Sequence, residues 1–134
     1  LKPEHEPGFV EKLNKFRAGY NVAVLGGVRF KYQPVQSGRT TAEDLLLGME
    51  RCDAIVCTGT GTGIETPMDK VEQFKTAVGD FPVVVGAGVT LETARTTMAK
   101  CDGMIVGSWF KHGHQAHNEV CEENVRAFMA ALSE

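Results

Sequence analysis

Four short apolar segments alternate with helical patterns along this chain, and that alternation restricts the fold more than any other feature. The segments span 21–28, 53–57, 81–85 and 103–106, and most of their residues are Val, Ile, Ala or Gly. Continuous apolar runs of this kind are typical of parallel strands that are buried on both faces. With an amphipathic helix predicted ahead of them at 7–18, the chain is expected to form one α/β domain over residues 1–134.

Start signals mark the helices that follow the strands. Thr40 and Glu43 have the spacing of a capping box, in which each side chain bonds to the other residue's backbone amide. Thr66 followed by Pro67 predicts an N-cap and a first-turn residue. Thr90 is likewise predicted to cap a helix, which would end near residue 100.

Four parallel strands are too few for a closed barrel, which takes about eight. The chain is therefore expected to be a (β/α)4 half-barrel that a second chain completes, an open flavodoxin-like sheet, or part of a longer protein. The first residue is not Met, which fits a processed or partial chain. A half-barrel has two uncovered sheet edges, which favour association into a homo-oligomer or pairing with another half-barrel chain.

Composition excludes several classes of function. The chain has 134 residues, 43% of them hydrophobic, and a net charge of -3. A general nucleic-acid binder or a binder of anionic membranes would be basic instead. No apolar stretch approaches the roughly 20 residues of a membrane helix, and the N-terminus does not resemble a signal peptide. Four cysteines without a CxxC pair predict reduced, packed thiols and a cytoplasmic protein.

Two glycine-rich strand ends carry the main functional hypothesis. Segments 83–90 and 103–108 are apolar runs that stop at glycine, and a helical pattern follows each. Glycine allows the backbone to approach an anion, and the free amides of the following turn can donate to it. We therefore predict a phosphate site, although tight turns between strand and helix would also account for these glycines. The predicted phosphate-binding residues are Gly86, Ala87, Gly88, Thr90, Gly107 and Ser108.

Candidate catalytic residues come from two other loops. Arg29 and Lys31 flank Phe30 just after the first strand, and side-chain alternation would turn both cations to one side. Two cations there could clamp an anion, or they could belong to a solvated loop. Glu65 is the best-placed carboxylate for acid–base work, unless its charge only favours the start of the next helix. Lys111 could add a further cation to the rim.

The glycine-rich run 58–63 is too irregular for a helix or strand. It lacks the Lys-Ser/Thr ending of a Walker A loop, so that assignment is rejected. The remaining alternatives are a mobile substrate loop, with Thr58, Gly59 and Thr60 as the contacting residues, or a flexible connector.

Three histidines, His112, His114 and His117, follow the fourth strand. They could bind Zn or Ni if the loop wrapped around the metal. Because no acidic or thiol ligand lies beside them, a polar loop is favoured, and neither a metal nor a cofactor is predicted. Asp53 and Asp102 stand at strand entrances, where barrel residues serve stability.

The segments NVAVLGGVRFKYQ, DAIVCTGTGTG, PVVVGAGVT and DGMIVGSWFK occur in this order along the chain. They resemble the BtpA family, whose typical strand ends are VKVLADVHVKHA, DAVIVTGSATG, PVLVGSGVT and DGVIVGTSLK. The resemblance covers nearly the whole chain but only the second half of the family's TIM barrel, so the four strands would correspond to its fifth to eighth.

The resemblance implies a barrel of the ribulose-phosphate-binding type, with phosphate at the two glycine turns. It does not supply a reaction, because the family's activity is poorly defined. The chain also departs from the family pattern: Gly27 and Arg29 replace an Asp and a His, and Tyr32 replaces a second His, whereas Lys31 is kept. The substitutions remove groups that could do acid–base or metal chemistry.

Two functions are therefore expected from the sequence. In the first, the protein binds a small phosphorylated molecule or an inorganic anion and acts on it, with Lys31 as an electrostatic partner or general acid–base group. In the second, it is a non-catalytic assembly or scaffold protein, of the biogenesis-factor type, with a degenerate active site. Neither nucleic-acid binding nor membrane insertion is expected in either case.

Overall fold

A computed structural model describes residues 2–133. Strands and helices alternate after a leading helix, as the apolar pattern predicts, and most elements are shorter than the pattern suggests. Three single 3-10 turns, Pro3–His5, Ser108–Phe110 and His112–His114, accompany them. In chain order the elements are α1 (Glu6–Gly19), β1 (Leu25–Gly27), α2 (Thr41–Met49), β2 (Ala54–Cys57), α3 (Met68–Val78), β3 (Val83–Val85), α4 (Ala94–Met98), β4 (Gly103–Met104) and α5 (Glu122–Ser133).

The strands form one sheet in the order β1-β2-β3-β4, and every pairing is parallel. The register places Gly26 opposite Ile55 and Val56 opposite Val84. The order does not double back, as it does in a flavodoxin-like sheet. The chain thus has an α/β fold whose parallel sheet has the sequential order of half a (β/α)8 barrel.

The predicted capping box is present at the start of α2. The Thr40 hydroxyl accepts from the Glu43 amide at 3.3 Å, and the Glu43 carboxylate accepts from the Thr40 amide at 2.7 Å. Both bonds satisfy amides that have no partner within the helix. The backbone amide and hydroxyl of Thr40 hold the pKa of Glu43 below its ordinary value.

The other two predicted caps are wrong. Pro67, with a non-helical ψ of 129°, occupies the N-cap position of α3, so the helix begins one residue later and Thr66 lies outside it. Thr90 precedes α4 by a turn, and Thr93 occupies the N-cap position without a side-chain bond. Thr90 and Thr93 instead exchange hydroxyl–amide bonds with each other, at 3.0 and 3.4 Å.

The core lies around β2 and β3. All four residues of β2 are buried, and Phe74 of α3 and Phe128 of α5 are almost fully buried in the same cluster. The four cysteines are free thiols, and three of them are buried. Burial raises the pKa of the Cys57 thiol to about 11, so packing is its role, as predicted.

Asp53 and Asp102 connect the amino ends of neighbouring strands. Asp53 accepts from the Val24 amide at 2.7 Å, and Asp102 accepts from the Val83 amide at 2.8 Å. Each carboxylate also pairs at 2.9 Å with a cation from the helix before the neighbouring strand: Arg17 for Asp53 and Lys75 for Asp102. The stabilising role predicted for these two residues agrees with these contacts.

The predicted amphipathic helix α1 forms, but none of its residues is buried. Phe9 and Phe16 keep 44% and 47% of their surface exposed, and Leu25 in the edge strand β1 keeps 52%. The apolar side of this end of the domain is therefore uncovered. Within residues 2–133 no helix has the length and hydropathy to cross a bilayer.

Candidate functional site

The two glycine turns line one cavity of about 510 Å³. The turns follow β3 and β4, and the cavity lies beyond the carboxyl ends of these strands, the end of the sheet where barrel proteins place their sites. All six residues predicted to bind phosphate line it, and so does Lys31. The remaining lining residues are Thr62, Gly63, Val89, Ile105, Trp109, His114, Gln115 and Ala116.

Gly88 has a steric reason to be glycine. Its φ is 71°, in the left-handed region, and an added Cβ would lie 2.3 Å from the backbone nitrogen and Cα of Glu65. The loop before α3 therefore packs directly against this turn. The tight turn between strand and helix therefore accounts for a glycine at position 88. The backbone amide of Gly88 can still donate to an anion.

Gly107 differs from Gly88 because no neighbouring atom requires a glycine there. Its φ is negative, at -117°, and an added Cβ would meet nothing within 4 Å. In the described part of the chain, the amides of Gly88, Gly107 and Ser108 donate to no other residue. The amide of Gly86 is already used, because it donates to the Cys57 carbonyl at 2.8 Å. The other three amides, which belong to residues that line the cavity, are therefore without an acceptor among the described residues.

Lys31 is held at the cavity by its backbone. Its amide donates to the buried Thr58 hydroxyl at 2.9 Å, and its ammonium group lies 5.8 Å from the centre of the Phe30 ring. Thr58 therefore positions the loop after β1, and it does not itself line the cavity.

Arg29 does not accompany Lys31. The strand ends at Gly27 and Arg29 has a left-handed φ of 48°, so the expected side-chain alternation does not apply. Its guanidinium donates to the Asp44 carboxylate at 3.0 Å and to the Arg39 carbonyl at 2.7 Å. Arg29 lines a separate cavity of about 520 Å³ beside β1 and α1.

The loop 58–63 is tied down at two points. The Tyr32 hydroxyl accepts from the Thr62 amide at 2.7 Å, and the contacts with Thr62 hold the pKa of Tyr32 below its ordinary value. The buried Thr66 hydroxyl accepts from the Gly59 amide at 3.1 Å and donates to the Ala87 carbonyl at 3.0 Å. Thr66 therefore connects the loop to the glycine turn after β3.

The part of this loop that reaches the cavity differs from the prediction. Thr62 and Gly63 line the cavity, whereas Thr58 and Gly59 are buried beneath it and Thr60 is exposed. Glu65 is exposed and does not line the cavity, although its backbone contacts Gly88.

Lys70 and His114 are two site residues that the sequence arguments missed. The Lys70 ammonium donates to the Thr58 carbonyl at 2.6 Å and to the Arg29 carbonyl at 3.2 Å, and so joins the loops after β1 and β2. Its position in the first turn of α3, next to the carboxyl ends of the strands, was a usable signal. For His114 the sequence pattern indicates only a metal ligand or a polar loop residue.

The histidine segment does not gather metal ligands. Among the described residues, no group of three His, Cys, Asp or Glu side chains is placed to hold a metal ion. A bridge between Lys111 and Val120 closes the segment instead, and the Asn118 side chain donates to the His112 carbonyl at 2.7 Å.

The fold and site together define a class: a parallel α/β protein of barrel type with a glycine-lined cavity at the carboxyl ends of its strands. The match to a family model narrows the class, since residues 12–134 match the BtpA family. The chain belongs to the BtpA family. The resemblance seen at the strand ends is therefore confirmed over nearly the whole chain.

Relatives in other organisms support the assignment. An uncharacterized protein of Pyrococcus abyssi is 33% identical over 87% of this chain and 45% of its own length. An uncharacterized protein of Archaeoglobus fulgidus is 37% identical over 63% of this chain and 35% of its own length. An uncharacterized mitochondrial protein of Caenorhabditis elegans is 34% identical over 58% of this chain and 28% of its own length. The chain spans less than half the length of these relatives.

Proposed function

We propose that the protein binds the phosphate group of a small phosphorylated metabolite in the cavity beyond β3 and β4. One observation carries the proposal: two separate glycine turns and Lys31 line the same cavity. Purely steric turns would not need to converge with a cation in this way. A volume of about 510 Å³ suits a ligand the size of a sugar phosphate.

The amides of Gly88, Gly107 and Ser108 would donate to the phosphate oxygens, and Lys31 would supply the positive charge. Of the three candidate catalytic residues, Lys31 is the one that lines the cavity, while Arg29 is engaged with Asp44 and Glu65 lies outside. In an enzymatic role, Lys31 is therefore the group we assign to proton transfer or charge stabilisation.

Calorimetry with inorganic phosphate tests the proposal. Gly107→Val places a side chain on the cavity wall without a clash in the protein, so it should abolish binding while the fold survives. Gly19→Val is the matched control, because that glycine also has open space around it and lies at the end of α1, away from the cavity. Lys31→Ala should weaken binding by roughly 1–2 kcal/mol, the contribution of a charge-assisted hydrogen bond. Unchanged affinity in Gly107→Val would refute the proposal.

A second candidate function is assembly through the uncovered end of the sheet. The observation that favours it is the exposure of Leu25 in β1 and of Phe9, which lines the same cavity beside β1. An edge strand next to exposed apolar surface is a template for pairing with another strand. We propose that a second copy of this chain, or another half-barrel chain, covers this edge.

The free cysteines of the protein suit a reducing compartment, and we propose that the protein is cytoplasmic.

A further inference from the structure

His114 stands at the wall of the cavity in a fixed orientation. Its ring stacks on the Trp109 indole, with the ring centres 3.9 Å apart and the planes 8° from parallel. Its Nδ1 lies 2.9 Å from the Trp109 carbonyl oxygen. The Asn124 amide donates to the same carbonyl at 3.2 Å, so the turn that carries Trp109 is itself held by α5.

The hydrogen bond to Trp109 determines which ring nitrogen of His114 is free. A carbonyl oxygen only accepts, so Nδ1 must carry the proton in that contact. The second nitrogen, Nε2, is then unprotonated in the neutral ring and becomes an N–H donor in the imidazolium. The ring can therefore gain a donor and a positive charge without breaking its contact with Trp109.

The backbone conformation of His114 supports a functional role for this residue at the cavity. Its φ of 56° lies in the left-handed region, which is unfavourable for a residue with a side chain. Residues held in this region cluster at ligand sites, because the surrounding structure must fix them there. The antiparallel bridge between Lys111 and Val120 encloses His114 and provides that support.

We propose that His114 is an anion-binding residue of the cavity, and that its protonation strengthens the binding of a phosphate-type dianion. The inference rests on the proposed function, since it concerns the same cavity. Two other charged groups bear on it: Lys31 on the cavity wall, and Glu92 in the turn before α4. The Thr90 hydroxyl and, to a smaller extent, the nearby His114 hold the pKa of Glu92 below its ordinary value.

His112 and His117 belong to the same segment as His114 but differ from it in their surroundings. Neither lines the cavity, and within the described residues the exposed His117 side chain makes no hydrogen bond, ion pair or ring contact. His112 lies near Glu123 instead. The proposal therefore predicts that one of three neighbouring histidines controls anion affinity.

The test measures the affinity for sulfate at pH 5.5 and pH 8.0 at constant ionic strength. Sulfate is the probe because it keeps its charge over this range, whereas phosphate changes protonation state. His114→Asn is the test variant, because Asn tolerates the left-handed backbone and its amide can still donate to the Trp109 carbonyl. His117→Asn is the matched control.

The wild type and His117→Asn should bind sulfate roughly tenfold more tightly at the lower pH, the gain expected from one added charge-assisted bond. His114→Asn should bind with the same affinity at both values. An equal gain in His114→Asn would overturn the inference and leave the proposed function standing. Absence of sulfate binding in the wild type at both values would refute the proposed function and the inference with it.

Histidine NMR of the wild type gives an independent result should His114→Asn not fold. Binding linkage is reciprocal, so saturating sulfate should raise the titration midpoint of His114 by about one pH unit. The midpoint of His117 should stay where it is. An unmoved His114 midpoint at saturating sulfate would contradict the proposal.

Discussion

Gly88 and Gly107 line the same cavity, but the steric requirement for glycine differs between the two positions. Gly88 combines a positive φ with close backbone contact to Glu65, so steric constraints alone demand it. Gly107 has neither constraint and yet lines the same wall. The functional argument therefore depends more on Gly107 than on Gly88, and the informative substitution belongs at Gly107.

Gly88→Ala should destabilise the fold by about 2 kcal/mol or more relative to Gly38→Ala. Both glycines have positive φ, 71° and 70°, but an added Cβ at Gly38 meets nothing, whereas at Gly88 it meets the Glu65 backbone. The difference between the two variants isolates the cost of separating the loop before α3 from the turn. Urea denaturation measures it, and equal midpoints for the two variants would show that the turn and the loop do not pack as described.

At the scale of elements, the same aspartate-mediated link between strand starts and helices occurs twice in the molecule. Asp53 lies just before β2, and Asp102 lies just before β4. Each carboxylate accepts a hydrogen bond from a backbone amide at the start of the neighbouring strand, and each pairs with a cation from the helix that precedes that strand. The amide of Val83 and the Lys75 ammonium hold the pKa of Asp102 below its ordinary value. This connection keeps the strand starts in register and leaves the opposite ends of the strands free for loops.

Asp102→Asn should lower stability at pH 7 by about 1 kcal/mol and flatten its acid dependence. A carboxyl group whose pKa is lowered by folding stabilises fully above its ordinary pKa of about 4, and that contribution is lost as the pH falls through the lowered value. Unfolding midpoints measured from pH 7 down to pH 2 test this. Asp80→Asn, at an exposed carboxylate outside these contacts, is the control. An identical acid profile for wild type and Asp102→Asn would exclude the proposed link.

Much of the fold could be predicted because it depends on local patterns. The apolar runs identify the strands, and the spacing of Thr40 and Glu43 identifies the start of α2. The predicted caps at Thr66 and Thr90 are wrong because other contacts take up their hydroxyls: Thr93 for Thr90, and residues outside the helix for Thr66. Thr66 serves Gly59 and Ala87 across the loop, which no local pattern encodes.

The same distinction applies to the candidate site. The six glycine-turn residues and Lys31 belong to loops that follow β1, β3 and β4, and parallel geometry brings these loops to one end of the sheet. Arg29 was misplaced because the chain leaves extended geometry immediately after β1, where a positive φ turns the side chain towards Asp44. His114 was missed as a lining residue because its approach depends on the fold of a loop with no regular pattern.

At the scale of the whole molecule, the sheet has two free edges. In a closed barrel every strand pairs on both sides, but among the described residues β1 and β4 each pair on one side only. The exposed side chains of Phe9 and Leu25 lie beside the β1 edge.

Light scattering at micromolar concentration should therefore detect an oligomer, because burying the exposed apolar surface contributes about 25 cal/mol per Å². Leu25→Lys on the edge strand should shift the protein towards monomer, while Ile64→Lys, an equally exposed apolar residue in the loop before α3, should not. A clean monomer for the unmodified chain would contradict association through this edge.

The most direct test of the central claim is an amide NMR titration of the wild type with inorganic phosphate at fixed ionic strength. The account predicts saturable shifts of the Gly88, Gly107 and Ser108 amides, with the amides of α1 unchanged. Saturable shifts confined to other parts of the chain, or no saturable shift at any amide, would contradict it.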